Sequence, residues 1–280
     1  MQHEVLKPRL DAHFHLQTIP WNSCFGDIQG KDVIKLFLEE GSRSICNGTS
    51  PLDWDLVNSL AKLFPRELIP YYGVHPWYVE ALPESWLDHL HTFLVKSGSG
   101  VGEIGLDRSS SSKEIFNHQV VVFKDQLDLA LSLALPVSIH CVRSWGLLIE
   151  ILQDKIQIII GNDKYCRIPV MIHSFSGSIE IMRELIDIGV FISFSPYLVS
   201  IQAESLREVL KAVPIEKILI ESDFSYSKNI SIYNQISDYK RNLAELFTIA
   251  GSLKDMDPIY FQEVVAKNGE VFTNRALNRL

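Results

Sequence analysis

The sequence predicts a (β/α)8 barrel: eight parallel strands rolled into a cylinder, a helix after each, and an extra C-terminal helix. Three observations predict it. Short runs rich in Val, Ile and Phe recur along the chain, bounded by Gly, Pro or Asp. Segments with helical periodicity lie between them, which is the rhythm of a parallel sheet. The chain has 280 residues, a normal length for one such barrel. The competing open doubly wound sheet lacks support, because no G-x-G-x-x-G follows the first strand.

The strands are expected, in order, at "PRLDAHFH" (8–15), "RSICNGT" (43–49), "LIPYYGVH" (68–75), "GVGEIGLD" (100–107), "PVSIHCV" (136–142), "PVMIHSF" (169–175), "GVFISFSP" (189–196) and "KILIESD" (217–223). Between them, "KDVIKLFLEEG" (31–41) is amphipathic and ends at Gly41, a C-cap signal. The run 113–135 reads as a long helix halted by Pro136. "SIEIMRELIDIG" starts at a Ser178 cap and ends at Gly189, and another helix covers 233–251. The extra helix is expected around 258–275. "KSGSG" (96–100) and "RSSSSK" (108–113) read as short loops, so residues 1–280 are expected to form a single domain.

In such a barrel the C-terminal ends of the strands open on one mouth. Strand one ends in His13 and His15, strand three in His75, strand four in Glu103 and Asp107, and strand five in His140. Strand six carries His173, and strand eight Glu221 and Asp223. Alternate residues share a face, so His13 pairs with His15, Glu103 with Asp107, and Glu221 with Asp223, while Cys141 points away from His140. A lone buried His is more often a satisfied core residue. Several ionisable groups buried at one end of one barrel are costly unless they pair or coordinate something. Imidazoles with carboxylates suit Zn, Mn or Mg ions, and six ligands exceed the needs of one tetrahedral ion, which favours two divalent metal ions.

Net charge is −8, against non-specific nucleic-acid binding through bulk charge. Cys24, Cys46, Cys141 and Cys166 form no C-x-x-C pair and read as free thiols of a reducing compartment. No signal-like segment and no apolar run of about 18 residues is visible, so a cytoplasmic protein with no membrane role and no obligate protein partner is expected.

In order along the chain, "DAHFHL", "GVHPW", "GEIGLD", "LPVSIHC", "IHSFSGS", "FISFSP", "ILIESD" and "NGEVF" make it resemble the TatD-like metal-dependent hydrolases, also called TatD deoxyribonucleases. The resemblance implies a first metal on His13, His15 and Asp223, a second on His140 and His173, and Glu103 bridging them. It implies that His75 touches substrate phosphate. Arg108 stands where the family has a Tyr-like residue, Arg143 is displaced from a His-x-Arg pattern, and "DFSY" replaces a Pro after the last Asp. These departures touch substrate choice rather than metal binding.

The activity implied is a two-metal deoxyribonuclease acting on DNA, single-stranded or from an end. Asp223 is the expected general base, with Glu103 and His75 at the reacting centre. Arg108, Arg143, Ser174 and Ser176 are candidate phosphate contacts. Solvated arginines, and helix capping by Ser176 or Ser178, are the competing roles. Asp11 and Glu221 are expected to support His13 and Asp223. Trp77 and Trp145 could stack on bases, with packing under the loops slightly favoured. Two other functions compete: hydrolysis of a carbon ester such as aminoacyl-tRNA, an amide or a lactone by the same centre, and a non-enzymatic metal-binding interaction protein.

Overall fold

The computed structural model describes residues 9–25, 28–38, 41–97, 99–109, 111–160 and 168–277. Among the described residues, nine strands form the sheet, the short Phe224–Ser225 and eight others: β1 (Leu10–His15), β2 (Arg43–Asn47), β3 (Leu68–Tyr72), β4 (Gly100–Asp107), β5 (Val137–Val142), β6 (Val170–Ile172), β7 (Phe191–Phe194) and β8 (Ile218–Ile220). All neighbours pair in parallel and in chain order. Just beyond β8, Phe224–Ser225 pairs in parallel with Phe14 and His15. Asp223 donates its backbone N–H to the His13 carbonyl at 2.9 Å. The sheet thus closes on its first strand, as the sequence predicts.

Helices follow the strands: α1 (Gly30–Phe37), α2 (Trp54–Leu63), α3 (Trp86–Ser97), α4 (Lys113–Leu133), α5 (Trp145–Ile160), α6 (Ile179–Asp187), α7 (Glu204–Ala212) and α8 (Ile232–Leu253). α4 starts at Ser112, whose hydroxyl accepts the Ile115 N–H, and ends at Ala134 in a left-handed turn before Pro136. Ser178 caps α6 in the same way, which resolves the capping alternatives: Ser176 is free of that role. A short hairpin, Cys24–Phe25 with Ile28–Gln29, lies between β1 and α1 and carried no clear sequence signal.

Strands three, six, seven and eight are shorter than expected. β3 ends at Tyr72 because Gln126 of α4 takes both backbone groups of Val74, accepting its N–H at 2.6 Å and donating to its carbonyl at 3.2 Å. β6 ends at Ile172 because Ser174 turns with φ +42° to give its N–H to Glu221 at 2.6 Å. The predicted end of the first helix at residues 39–40, Pro8 of strand one, and Cys166 lie outside the described residues.

The extra helix, α9 (Pro258–Leu277), closes the barrel at the end opposite the mouth. Leu10, Ala12, Ile45, Ile69, Tyr71, Met171, Phe191 and Leu219 form the apolar cluster inside the barrel, and Phe272 of α9 completes it. A side chain at Gly269 would strike Leu10. Asn268 donates to the carbonyls of Ile215 and Ile218 at 2.7 and 2.8 Å. "NGEVF" is therefore a structural plug. With this floor apolar and filled, the polar strand ends gather at the other opening. Among the described residues, no helix is long and apolar enough to cross a membrane.

Candidate metal centre

Glu103 stands at the middle of the mouth. It is 3% exposed, and its backbone N–H is fixed to the Gly48 carbonyl at 2.8 Å. Gly102 and Gly105 flank it for lack of space: a Cβ at Gly102 would press on Asn47 and Ser138, and one at Gly105, φ +150°, would collide with the His140 carbonyl. The carboxylate divides its two oxygens. Oε2 lies 3.3 Å from His13 Nε2 and 3.2 Å from His15 Nε2. Oε1 lies 2.8 Å from His173 Nε2 and 3.1 Å from His140 Nδ1.

The far nitrogen of each ring shows which atom is free to ligate. His15 Nδ1 faces the Asn47 carbonyl at 2.9 Å, an acceptor, so it carries the proton. His173 Nδ1 donates likewise to Glu221 at 3.3 Å, and His140 Nε2 to Asp107 at 3.2 Å. His13 Nδ1 meets the Ser138 hydroxyl at 3.0 Å. Held this way, each ring once deprotonated aims a bare lone pair inward. His13 and His15 bring theirs within 3.2 Å of each other, as do His140 and His173. Lone pairs converging on carboxylate oxygens repel unless a cation lies among them. The donor set therefore fits divalent cations, with the outer hydrogen bonds typical of metal-binding imidazoles.

His75 differs. Its Nδ1 accepts the Trp77 backbone N–H at 3.2 Å, so its proton sits on Nε2, which points at Glu103 Oε1 across 3.4 Å. It presents a donor where the other four present lone pairs, and burial keeps its pKa below the usual value, holding the ring neutral. Asp223 lies at the exposed edge, where its carboxylate groups with the His13 and His15 nitrogens and also with His173 and Glu221.

The electrostatics follow from crowding. Burial works against charge on Glu103, yet His173, His75 and His13 around it hold its pKa well below the carboxylate range. Burial, with His173 stacked at 4.0 Å, lowers His13 to about 4. Burial also opposes charge on His173, but Glu103 and Glu221 outweigh it and raise its pKa well above 6.5. Loss of hydration, helped by Glu221 and Glu103, lifts Asp223 to about 6.

Several supporting roles differ from expectation. Glu221 serves His173 and the Ser174 N–H, not Asp223. Asp11 does not orient an imidazole. It supports His13 through the backbone, accepting its N–H at 3.4 Å, and it accepts the Ser222 N–H at 2.8 Å and the Tyr239 hydroxyl at 3.1 Å, tying β1 to the chain after β8. Asp107, placed at the mouth on the Glu103 face by the sequence but given no role there, is the partner of His140; it also accepts the Trp77 indole N–H at 2.8 Å and two bonds from Ser109. Its place two residues from Gly105 on the Glu103 face was the available signal, as was Ser138 two before His140.

The remaining candidates stand further out. The Ser174 hydroxyl donates to Ser195 at 2.9 Å, and Ser176 is exposed. Arg108 lies over the Phe116 ring at 4.2 Å, and Arg143 is exposed with φ +53°. Trp145 packs on Phe175, as the packing role requires, but Trp77 is 63% exposed and is not packed under a loop. Cys141 faces the core beside the helices, away from the cluster.

A family model described as TatD related DNase matches residues 10–274. The chain is 28% identical over 268 residues to an uncharacterized metal-dependent hydrolase of Buchnera aphidicola, covering 92% of this chain and 93% of that one. It is 33% identical over 158 residues to a 3'-5' ssDNA/RNA exonuclease TatD of Klebsiella pneumoniae, covering 55% of this chain and 56% of the relative. A TatD homologue of known structure from Escherichia coli superposes with a TM-score of 0.77 at 22% identity, covering 95% and 98% of the two chains.

Proposed function

The chain belongs to the TatD-related DNase family and is a metal-dependent hydrolase; from that premise we propose that it cleaves phosphodiester bonds of DNA, with two divalent ions held around Glu103. The observation that carries this reading is the split carboxylate: each Glu103 oxygen faces its own pair of imidazole lone pairs.

His13, His15, Asp223 and Glu103 Oε2 would hold one ion, and His140, His173 and Glu103 Oε1 the other. So many nitrogen donors favour Zn over Mn and Mg, which prefer oxygen. When bound, divalent ions lower the pKa of water and polarise a phosphoryl oxygen. The residues do the rest. Asp223, at the exposed edge, takes the proton of the attacking water. His75 turns its Nε2–H from Glu103 toward a non-bridging phosphate oxygen, where charge accumulates during attack. Glu221 and Asp107 keep His173 and His140 in the ligating tautomer.

The nuclease names of relatives support DNA as substrate. The test is metal analysis of the purified protein, followed by assays on single- and double-stranded DNA, RNA and aminoacyl esters with Zn, Mn or Mg. DNA cleavage that disappears in His140→Ala and Asp223→Ala is expected. Cleavage surviving both variants sinks the site, and activity on carbon esters alone sinks the nuclease reading.

A further inference from the structure

Trp77 is a large apolar side chain left 63% exposed beside a buried polar cluster, yet it is firmly held. It sits on a short 3-10 turn, Pro76–Ala81, whose first residue has its φ fixed by the proline ring. Its backbone N–H is bound to His75 Nδ1, and its indole N–H to Asp107 Oδ2 at 2.8 Å. The turn is itself stapled from below. Gln119 of α4 donates to the Pro76 carbonyl at 3.2 Å and accepts the Asp107 N–H at 2.9 Å. The indole stands edge-on to His75, with ring centroids 4.8 Å apart and planes at 80°. One edge is therefore fixed against the cluster, while most of the ring surface is open to solvent.

Arg108 is engaged with Phe116, and the chain as a whole carries −8. Bulk charge therefore does not recruit a polyanion to this mouth. A rigid exposed indole does this by stacking on a base, which every sequence provides.

We propose that Trp77 is the stacking platform for an unpaired nucleobase next to the scissile phosphate, and that Asp107 is the positioning residue that holds it there. The inference rests on the nuclease reading of the site. Asp107 Oδ2 reaches both the Trp77 indole and His140 Nε2, so one oxygen sets the platform's position relative to the cluster. The base stacks on the open face of the ring, and its own phosphate then falls toward His75.

The experiment compares wild type, Trp77→Ala and Trp77→Phe, all metal-loaded. Binding is read by fluorescence anisotropy with a phosphorothioate-linked hexathymidylate, which resists hydrolysis, and with the same strand carrying abasic residues at both ends. Metal content is measured for each variant. Trp77→Ala is expected to weaken binding of the base-bearing strand about tenfold or more and to leave the abasic strand unchanged. Trp77→Phe keeps a ring without the Asp107 anchor and falls between the two. Unchanged binding in Trp77→Ala, or equal losses on both strands, overturns the platform. Failure of wild type to bind either strand overturns the platform and the nuclease reading together. DNA cleavage with an unaltered KM in Trp77→Ala overturns the platform alone.

Discussion

Glu221 Oε1 lies 3.3 Å from His173 Nδ1 and 2.6 Å from the Ser174 N–H, so one fully buried oxygen fixes both the tautomer of a candidate ligand and the turn that ends its strand. Removing the charge while keeping the shape tests this. Glu221→Gln is expected to weaken metal affinity by about 10–100-fold, the usual cost of losing such an outer partner. Competition with a chromogenic chelator measures it. Unchanged affinity would mean that Glu221 only shapes the turn.

Metal binding and protons compete at His173. Glu103 and Glu221 raise its pKa well above 6.5, so in the absence of metal it holds a proton on a nitrogen that must be bare to ligate. The sign follows directly: lowering the pH favours the proton, and raising it favours the metal. Apparent affinity should climb with pH, on the order of tenfold per unit for each proton displaced. Calorimetry in two buffers of different ionisation enthalpy counts the protons released. A flat profile from pH 6 to 8 contradicts the arrangement.

Metal should also stabilise the fold, because its ligands come from strands β1, β4 and β5 and from the segments just beyond β6 and β8. A ligand at 100 times its Kd adds about 2.7 kcal/mol per site. Removing metal with EDTA is expected to lower Tm by several degrees, and adding Zn or Mn to restore it. Elemental analysis should show two ions per chain, falling in Glu103→Gln. A stoichiometry of one in wild type argues against the split carboxylate as a bridge.

The strands and the inward donors were legible because a polar residue closing an apolar run is conspicuous: His13, Glu103 and His140 each stand out that way. The outer partners were not. His15 is held by the Asn47 carbonyl, and a backbone atom leaves no mark on residue identity. Alternation also fails where strands stop. β8 ends at Ile220 and the chain turns at Asp223 with φ +50°, so Glu221 supports His173 rather than its neighbour two residues on. Gln119 and Gln126 are polar residues within a helical run, yet both are buried and bracket the loop bearing His75 and Trp77.

The thiols give a chemical readout of the same packing. Burial pushes Cys46 and Cys141 up to about 12, leaving almost no thiolate at pH 8, whereas Cys24 is exposed. Iodoacetamide should modify Cys24 in the folded protein and reach Cys46 and Cys141 only after denaturation. Peptide mapping by mass spectrometry checks this. Rapid labelling of Cys141 in the native state would mean that β5 packs differently from the description above.

The floor of the barrel can be separated from its mouth. Phe272 is fully buried, with ring centroids 6.2 Å from Tyr71 and 5.7 Å from Phe191, and among the described residues it is the one side chain of α9 in that apolar cluster. Phe272→Ala removes a large side chain from a closed space. The loss is therefore burial energy plus a cavity, about 3–5 kcal/mol. For a chain of this size that lowers Tm by roughly ten degrees. The candidate ligands sit at the opposite end of the same strands, so metal stoichiometry measured well below the lowered Tm should be unchanged. Loss of metal with no change in Tm would show instead that α9 supports the mouth. A fall in Tm with full metal content places it where its contacts do, as the plug that leaves the other end as the opening where the polar side chains meet.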